Sequence, residues 1–251
     1  MGLIMETNEY YKMFEFENDY WWYRGLHELV LYYVDRFKRS RAPEELRIFD
    51  AGCGTGRLME MMNDYGAVEG IDYSADAVSL CKERGLKCVE IGDLNTWNPP
   101  AESWDIIVSN DVICTSGVED DLAVIETFYR ALKKGGILIL NLPAFDVLRR
   151  RHDVAVYGKR RYRKKKTLKQ MEKLGFTAVR AAYRLPLLFF IILLQKYLLE
   201  PFKKGKIESD LKKLPPFLNN LLLKMNRIEN KLTTIGISFP FGSSLFLVCK
   251  K

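Results

Sequence analysis

The sequence predicts an α/β fold, a parallel sheet covered by helices, on three observations. Apolar runs of strand length alternate with helical stretches from Leu46 to Leu142. A glycine-rich turn joins the first run to the first stretch. The 251 residues, 48% apolar and 28% charged, supply a core for one domain or for one domain with an insert. With 12% aromatic residues and no low-complexity tract, disorder over most of the chain is excluded. Cys53, Cys81, Cys88, Cys114 and Cys249 are scattered without a C-x-x-C pair, so no disulfide framework and no metal site is expected. A reducing, cytoplasmic setting fits that usage.

In chain order, residues 6–40 place Leu26, Leu29, Val30, Tyr33, Val34 and Phe37 at helical spacing, which predicts helices packed over one edge of the sheet. The run LRIFDAG from Leu46 reads as the first strand, Arg57 to Tyr65 as a helix, AVEGID as a second strand and Ser74 to Arg84 as a second helix. A third strand (Lys87 to Ile91), a fourth (Trp104 to Ser109), a helix (Asp121 to Lys133) and a fifth strand (Gly136 to Leu142) continue the alternation. Gly135-Gly136 after Lys133-Lys134 reads as a helix C-cap with basic residues in the last turn. Thr167 to Gly175 then predicts a capped helix, Phe176 to Tyr183 a strand, and Ser244 to Lys250 the last strand.

Charge is divided sharply along the chain. Residues 1–148 hold 14 Lys and Arg against 26 Asp and Glu, whereas residues 149–251 hold 25 against 6, so −12 and +19 lie within the total of +7. That polarity points the carboxyl-terminal part toward something anionic, or it is a solvated basic face. Lys159 to Lys166 (KRRYRKKK) holds seven basic residues in eight. Leu185 to Leu199 is strongly apolar but broken by Pro186, Gln195 and Lys196, and a spanning helix needs about 20 apolar residues, so no transmembrane helix is predicted. The amino terminus lacks the pattern of a secretory signal.

Asp50-Ala51-Gly52-Cys53-Gly54-Thr55-Gly56 sits between the first strand and helix, where an open α/β sheet opens its ligand crevice. Glycines suit that place because a ligand must touch the backbone there and the turn can require positive φ. Asp72, at the end of the second strand, can accept hydrogen bonds from both hydroxyls of a ribose, and Asp93-Leu94 after the third strand can hold an adenine edge. A nicotinamide enzyme shares this logic, but its G-x-G-x-x-G spacing is not met.

The D-x-G-x-G-x-G loop, GID at strand two, GDL after strand three, WDIIVSND at strand four and RALKKGGILILNLP through strand five together resemble the class I S-adenosylmethionine-dependent methyltransferases, over about residues 46–184 and 243–250. The resemblance implies a Rossmann-like sheet of seven strands, the last antiparallel. It implies S-adenosyl-L-methionine as cofactor, with the loop from Asp50 through Gly52, Gly54 and Gly56 at the methionine part and Asp72 on the ribose. It further implies Tyr73 against the adenine, Asp93 and Leu94 at its edge, and Ser109-Asn110 beneath the sulfonium. Trp21-Trp22-Tyr23-Arg24 matches an amino-terminal lid in similar enzymes, with Arg24 on the methionine carboxylate; an aromatic helix buried against the sheet is the equal alternative.

Catalysis is less legible. Many relatives carry a His after the fourth strand, but Asp111-Val112-Ile113-Cys114 leads here to Thr115. His152-Asp153 followed by Arg160-Arg161-Tyr162 resembles an H-D then R-R-Y pattern of one subgroup, which makes His152 the candidate base or substrate contact, against a structural role. Cys53 and Cys114 lie near the expected site without a visible cationic partner, so neither reads as a nucleophile.

The division expected is an N-terminal helical lid (1–45), the cofactor-binding core (46–185), an apolar and basic helical insert (186–234) and the final strand (235–251). In the insert, Leu187 to Leu194 is apolar on all sides, and Phe217, Leu218, Leu221, Leu222, Met225, Ile228 and Leu232 recur at helical spacing. With Lys203, Lys204, Lys206, Lys212 and Lys213 beside them, the insert is expected to cover the acceptor cleft and to rest on an anionic membrane surface, or to cap the protein's own sheet or a dimer partner. The expected acceptor is accordingly a small molecule, anionic or lipid-linked, reached at the inner face of a membrane. A soluble sugar nucleotide or small acid, RNA methylation and a non-catalytic binding protein are the alternatives, and no nucleic-acid module is visible.

Overall fold

The computed structural model describes residues 7–41, 45–199 and 211–251. Its strands are β1 (Leu46–Ala51), β2 (Gly66–Asp72), β3 (Val89–Ile91), β4 (Trp104–Asn110), β5 (Leu132–Pro143), β6 (Thr177–Arg184) and β7 (Ser244–Lys250). They form one sheet in the order β3-β2-β1-β4-β5-β7-β6. β1 to β5 run parallel, and β7 pairs antiparallel with both β5 and β6. The carboxyl ends of β1, β2, β4, β5 and β6 therefore share one edge, as the sequence predicts for a ligand site.

Alternating side chains along each strand feed two cores. Ile48, Ile106, Val108, Ile137, Ile139, Phe246 and Val248 pack on one face under α2 (Trp21–Arg39), α3 (Arg57–Met62) and α4 (Ala75–Glu83). Phe49, Ile107, Leu138, Leu140, Leu245 and Leu247 pack on the other face under α5 (Asp121–Ala131) and α7 (Lys164–Lys173). The stripe of α2 is buried as its spacing demands, and each aliphatic side chain so buried contributes about 2 kcal/mol. It covers the middle of the sheet, across β1, β4, β5 and β7, and not the edge expected, because the strand order puts β1 and β4 at the centre.

Two boundaries differ from expectation for tertiary reasons. The helix expected to run to Lys133 ends at Ala131, since Leu132 pairs with Trp104 and Lys133 reaches Asp105 Oδ2 at 2.8 Å. Gly135, with φ 75°, thus lies within β5 and not at a helix cap. The helix expected from Thr167 begins at Lys164, whose amide donates to the Tyr183 hydroxyl at 2.9 Å, while Thr167 Oγ1 binds back to the Arg163 carbonyl.

The remaining helices are α1 (Thr7–Phe16), α6 (Arg151–Ala155), α8 (Pro186–Leu194) and α9 (Pro216–Thr234). The apolar stripe read in α9 is not its buried face: Leu223, Asn226, Asn230 and Thr233 are buried, whereas Phe217, Leu221 and Ile228 are exposed. The polar face turns inward where α9 crosses α2 at Gly25, whose missing side chain lets Asn226 approach and whose helix carbonyls keep a second lone pair to accept with. Asn230 Nδ2 donates to the Gly25 carbonyl at 2.6 Å and Asn226 Nδ2 to the Trp21 carbonyl at 3.5 Å. Lys203, Lys204 and Lys206 lie outside the described residues. Among the described residues, no helix is long and apolar enough to cross a membrane.

A Cβ at Gly25 would come within 2.0 Å of Asn226 Nδ2. Gly25→Ala is therefore expected to lower stability by about 1–3 kcal/mol through overpacking, although alanine in a helix interior ordinarily gains about 0.5–1 kcal/mol. Thermal unfolding of the variant decides the sign.

Candidate functional site

The glycine loop closes the ligand edge between β1 and α3. Gly52, Gly54 and Gly56 all adopt left-handed backbone, with φ of 84°, 55° and 82°. A side chain there would be strained, and a Cβ on Gly52 would lie 2.3 Å from Val112. The amides of Gly52 and Cys53 donate to the Ile71 carbonyl at 2.9 and 3.0 Å, tying the loop to the end of β2.

Asp72 completes that tie. Its Oδ2 accepts from the Gly54 amide at 2.8 Å, and its Oδ1 from the Ser74 amide at 2.9 Å and the Tyr10 hydroxyl at 3.4 Å. Burial raises its pKa, and these bonds oppose the rise. Asp50 lies below, buried, its pKa pushed up to about 7 by burial and by the charge of Asp72. A carboxylate has about four lone-pair sites, so Asp72 keeps capacity for a ribose hydroxyl, and Tyr10 occupies a position that a second could take.

Around this centre the expected residues fall into two groups. Tyr73 is exposed beside Asp72, Arg24 is half-buried in the first turn of α2 without a side-chain hydrogen bond or ion pair, and Asn110 has a buried Oδ1 with no hydrogen-bond partner among the described residues. These groups are available to a ligand. Ser109 and Leu94 are engaged in the scaffold: Ser109 Oγ donates to the Ala51 carbonyl at 2.8 Å, and Leu94 is buried in the core beside Phe49 and Trp97. Asp93 Oδ1 accepts from the Asn95 backbone and side chain, which shapes the turn after β3.

Residues 7–16 supply what the sequence left unassigned at this edge. Tyr10, Met13 and Phe14 of α1 pack on Ala77 and Leu80 of α4, and Met13 Cε covers Gly54. Just after α1, buried Glu17 accepts from Thr55 Oγ1 and from Arg84. Burial lifts the Glu17 pKa to about 7 against those two partners. The cover over the loop is thus α1, while Trp21 is buried with Leu185 and Leu223.

A second polar chain leaves the carboxyl end of β4. Asp111, at φ 57°, accepts from Asn141 Nδ2 at 2.7 Å, and Asn141 Oδ1 accepts from buried Arg184 at 3.1 Å. Arg184 also reaches Asn226 Oδ1 of α9 at 3.4 Å. Burial raises the Asp111 carboxyl to about 6 and lowers Arg184 to about 10. The available sequence signal was Asn141 inside ILILNLP and Arg184 at the end of β6, polar residues in apolar company.

The H-D and R-R-Y motif proves largely architectural. Arg161 binds Asp153 through two bonds of 2.8 and 2.9 Å and the Ala144 carbonyl at 2.8 Å. Arg160 gathers the carbonyls of Thr115, Val118 and Glu119 and pairs with Asp121, which Tyr162 also binds at 2.8 Å. These two arginines of the basic run therefore serve the protein itself. His152 is half-buried on α6, beside this clasp. His27 is buried, its pKa lowered to about 4, and is neutral at pH 7. Cys53 and Cys114 are buried with raised pKa values, which holds both as thiols. A cavity of about 410 Å³ lies along α3, lined by Leu31, Arg57, Glu60, Met61, Asp64 and Tyr65, and includes none of the expected site residues. No cluster of His, Cys, Asp and Glu among the described residues could hold a metal ion.

Residues 49–140 match the family described as methyltransferase domain. Over 104 residues the chain is 34% identical to phosphoethanolamine N-methyltransferase 1 of Arabidopsis thaliana, covering 38% of this chain and 20% of that protein. Over 109 residues it is 30% identical to trans-aconitate 2-methyltransferase of Variovorax paradoxus (strain S110), covering 42% and 41%. The chain thus spans between a fifth and two fifths of the length of these curated relatives. A crystal structure of an S-adenosylmethionine-dependent methyltransferase from Archaeoglobus fulgidus shares the fold, with a TM-score of 0.58, 18% identity and coverage of 90% of this chain and 93% of that one. Residues 49–140 thus carry a methyltransferase domain, within a chain that shares its fold with S-adenosylmethionine-dependent methyltransferases of known structure.

Three carboxyls near the loop, Glu17, Asp50 and Asp111, have folded pKa values raised to about 7, 7 and 6. Their protonated forms favour the folded state, so their contribution is full below pH 4 and is lost as pH rises through 6 to 7. The midpoint of unfolding is expected to fall by at least about 5 °C between pH 5.5 and pH 8, and Glu17→Gln should flatten that slope. Scanning calorimetry across the range checks both.

Proposed function

We propose that the protein transfers the methyl group of S-adenosyl-L-methionine to a small-molecule acceptor that is anionic or lipid-linked. One observation carries the reading: three left-handed glycines fold the loop's backbone against the end of β2, and Asp72 holds its central amide with acceptor capacity left over. The bound cofactor supplies a methyl group already activated by its sulfonium, so the protein's task is to bind, orient and exclude water. In this reading Gly52, Gly54 and Gly56 admit the methionine part, Asp72 takes the ribose hydroxyls, Tyr73 and Asp93 flank the adenine, and Arg24 meets the methionine carboxylate. Asn110 offers its unpaired Oδ1 near the transferring group. The anionic or lipid-linked acceptor is supported by the +19 charge of residues 149–251 and by the apolar helix α8, which starts where β6 ends at the ligand edge.

Calorimetry tests the cofactor site directly. Asp72→Ala is expected to weaken S-adenosylmethionine by about 1–3 kcal/mol, through loss of hydrogen bonds to a charged group. Arg24→Met should weaken S-adenosylhomocysteine by about tenfold yet leave methylthioadenosine, which lacks the carboxylate, unchanged. Binding of NAD in place of both sulfur nucleosides would sink the assignment.

An acceptor with a hydroxyl must also lose a proton, and His152 is the group proposed to contact it. With labelled cofactor and an identified acceptor, His152→Ala should lower kcat by about 10²-fold while cofactor affinity holds. Turnover unchanged across pH would make His152 part of the clasp alone.

A further inference from the structure

We infer that the outer face of α8, continued by the turn after it and the tip of α9, docks the protein on an anionic lipid bilayer. One side of α8 is anchored. Ile192 is buried, Leu188 packs into the cluster of Trp21, Leu185 and Leu223, and Phe189 meets Phe145 at 5.4 Å and Phe241 at 5.3 Å. The other side is largely exposed, although Phe190 also meets Phe241 at 5.0 Å. Leu187, Phe190, Ile191 and Leu194 recur at the spacing of one helix face, and Phe190 and Leu194 are 54% and 60% exposed. Tyr197 and Leu198 extend the face through the π-helical turn Gln195–Leu199, at 61% and 57%. At the start of α9, joined to α8 through Leu188, Leu214 and Leu222, Phe217 is 80% exposed beside exposed Leu218 and Leu221.

An apolar face this continuous is unusual on a free soluble surface. Its surroundings choose the occupant. Residues 185–199 and 211–228 contain no Asp or Glu but hold Lys196, Lys212, Lys213, Lys224 and Arg227, while the three acids of 200–210 are matched by three lysines in its sequence; among the described residues only Arg227 of these cations forms an ion pair, with Glu28. At the end of α8, Arg150 Nη1 donates to Gln195 Oε1 and Lys196 Nζ to the Val147 carbonyl, which ties the segment after β5 to the border of the patch, while Arg149 is paired with Asp146. A second copy of this chain would set these cations against their like. The stretch 200–210 offers Phe202 and Ile207 as its large apolar side chains, too few to cover the nine of the face. An anionic bilayer supplies an apolar phase and negative headgroups together. At nine residues α8 is about 14 Å long against a hydrocarbon core of about 30 Å, so it lies in the interface and does not cross.

Docking by this face stands apart from methyl transfer, but its use rests on that reading: α8 starts at the ligand edge, so the bilayer would present an acceptor beside the carboxyl ends of β4 to β6. The test is flotation of the full chain with vesicles of phosphatidylcholine, with and without 30 mol% phosphatidylglycerol, at low and high salt. Binding to the anionic vesicles alone, released by high salt, is expected. The doubly exposed change Leu194→Glu with Leu198→Glu should abolish it without altering the unfolding midpoint, and Lys212→Gln with Lys213→Gln should weaken it by about 25-fold, about fivefold per charge. A protein that stays at the bottom of every gradient overturns the inference, as does binding unaffected by the glutamates. So does a dimer in sedimentation that the glutamates disperse, which assigns the face to a second copy. Calorimetry with S-adenosylhomocysteine on the same samples separates loss of docking from failure of the cofactor reading.

Discussion

A single buried carboxylate organises the ligand edge. Asp72 holds the Gly54 amide of the glycine loop, the Ser74 amide that opens α4 and the Tyr10 hydroxyl of α1, so three segments distant in sequence meet on two oxygens. Hydrogen bonds to a charged acceptor are stronger than neutral ones, and inside a protein they are poorly screened. The left-handed turns at Gly52, Gly54 and Gly56 follow from that arrangement, because the loop must fold back to bring its amides to β2. Asp50 beneath it is raised chiefly by its burial and further by the charge of Asp72.

At the other end of the edge a buried cation plays the corresponding part. Among the described residues Arg184 has no carboxylate in direct contact: its two Nη atoms donate to the side-chain oxygens of Asn141 and Asn226, its buried Nε has no partner, and Asp111 lies one residue further along the chain of bonds. A buried charge so placed is costly unless its partners are held still. The holding comes from α9, whose asparagines also take the carbonyls of Trp21 and Gly25 in α2. Insert and amino-terminal helix are thereby one structure, though the sequence separates them by nearly the whole core. The clasp of Asp153 with Arg161, and of Arg160 with Asp121, fastens the loop after β4 in the same manner. Part of the basic charge that reads as an anion-binding run is consumed in that fastening.

What remains exposed is therefore more informative than the total charge. The arginines of the KRRY stretch are internal, whereas the lysines near α8 border an apolar face that the fold leaves uncovered. The same distinction applies among the site residues. Arg24, Tyr73 and Asn110 keep groups without a partner among the described residues, while Ser109 and Leu94 hold the strands and loops that position them.

By itself the sequence determined the parallel core, the glycine loop and the carboxylate opposite it, because these depend on local rules. Strand and helix periodicities are properties of neighbouring residues, and positive φ selects glycine wherever a turn demands it. Only the tertiary structure decided the rest. The end of α5, the placement of α2 over the middle of the sheet, the inward polar face of α9 and the cover of α1 on Gly54 each depend on partners dozens to hundreds of residues away. Hydrophobic spacing predicted the exposed stripe of α9 as its contact face. Asn226 and Asn230 face inward instead, because the Trp21 and Gly25 carbonyls and Arg184 satisfy their amides there.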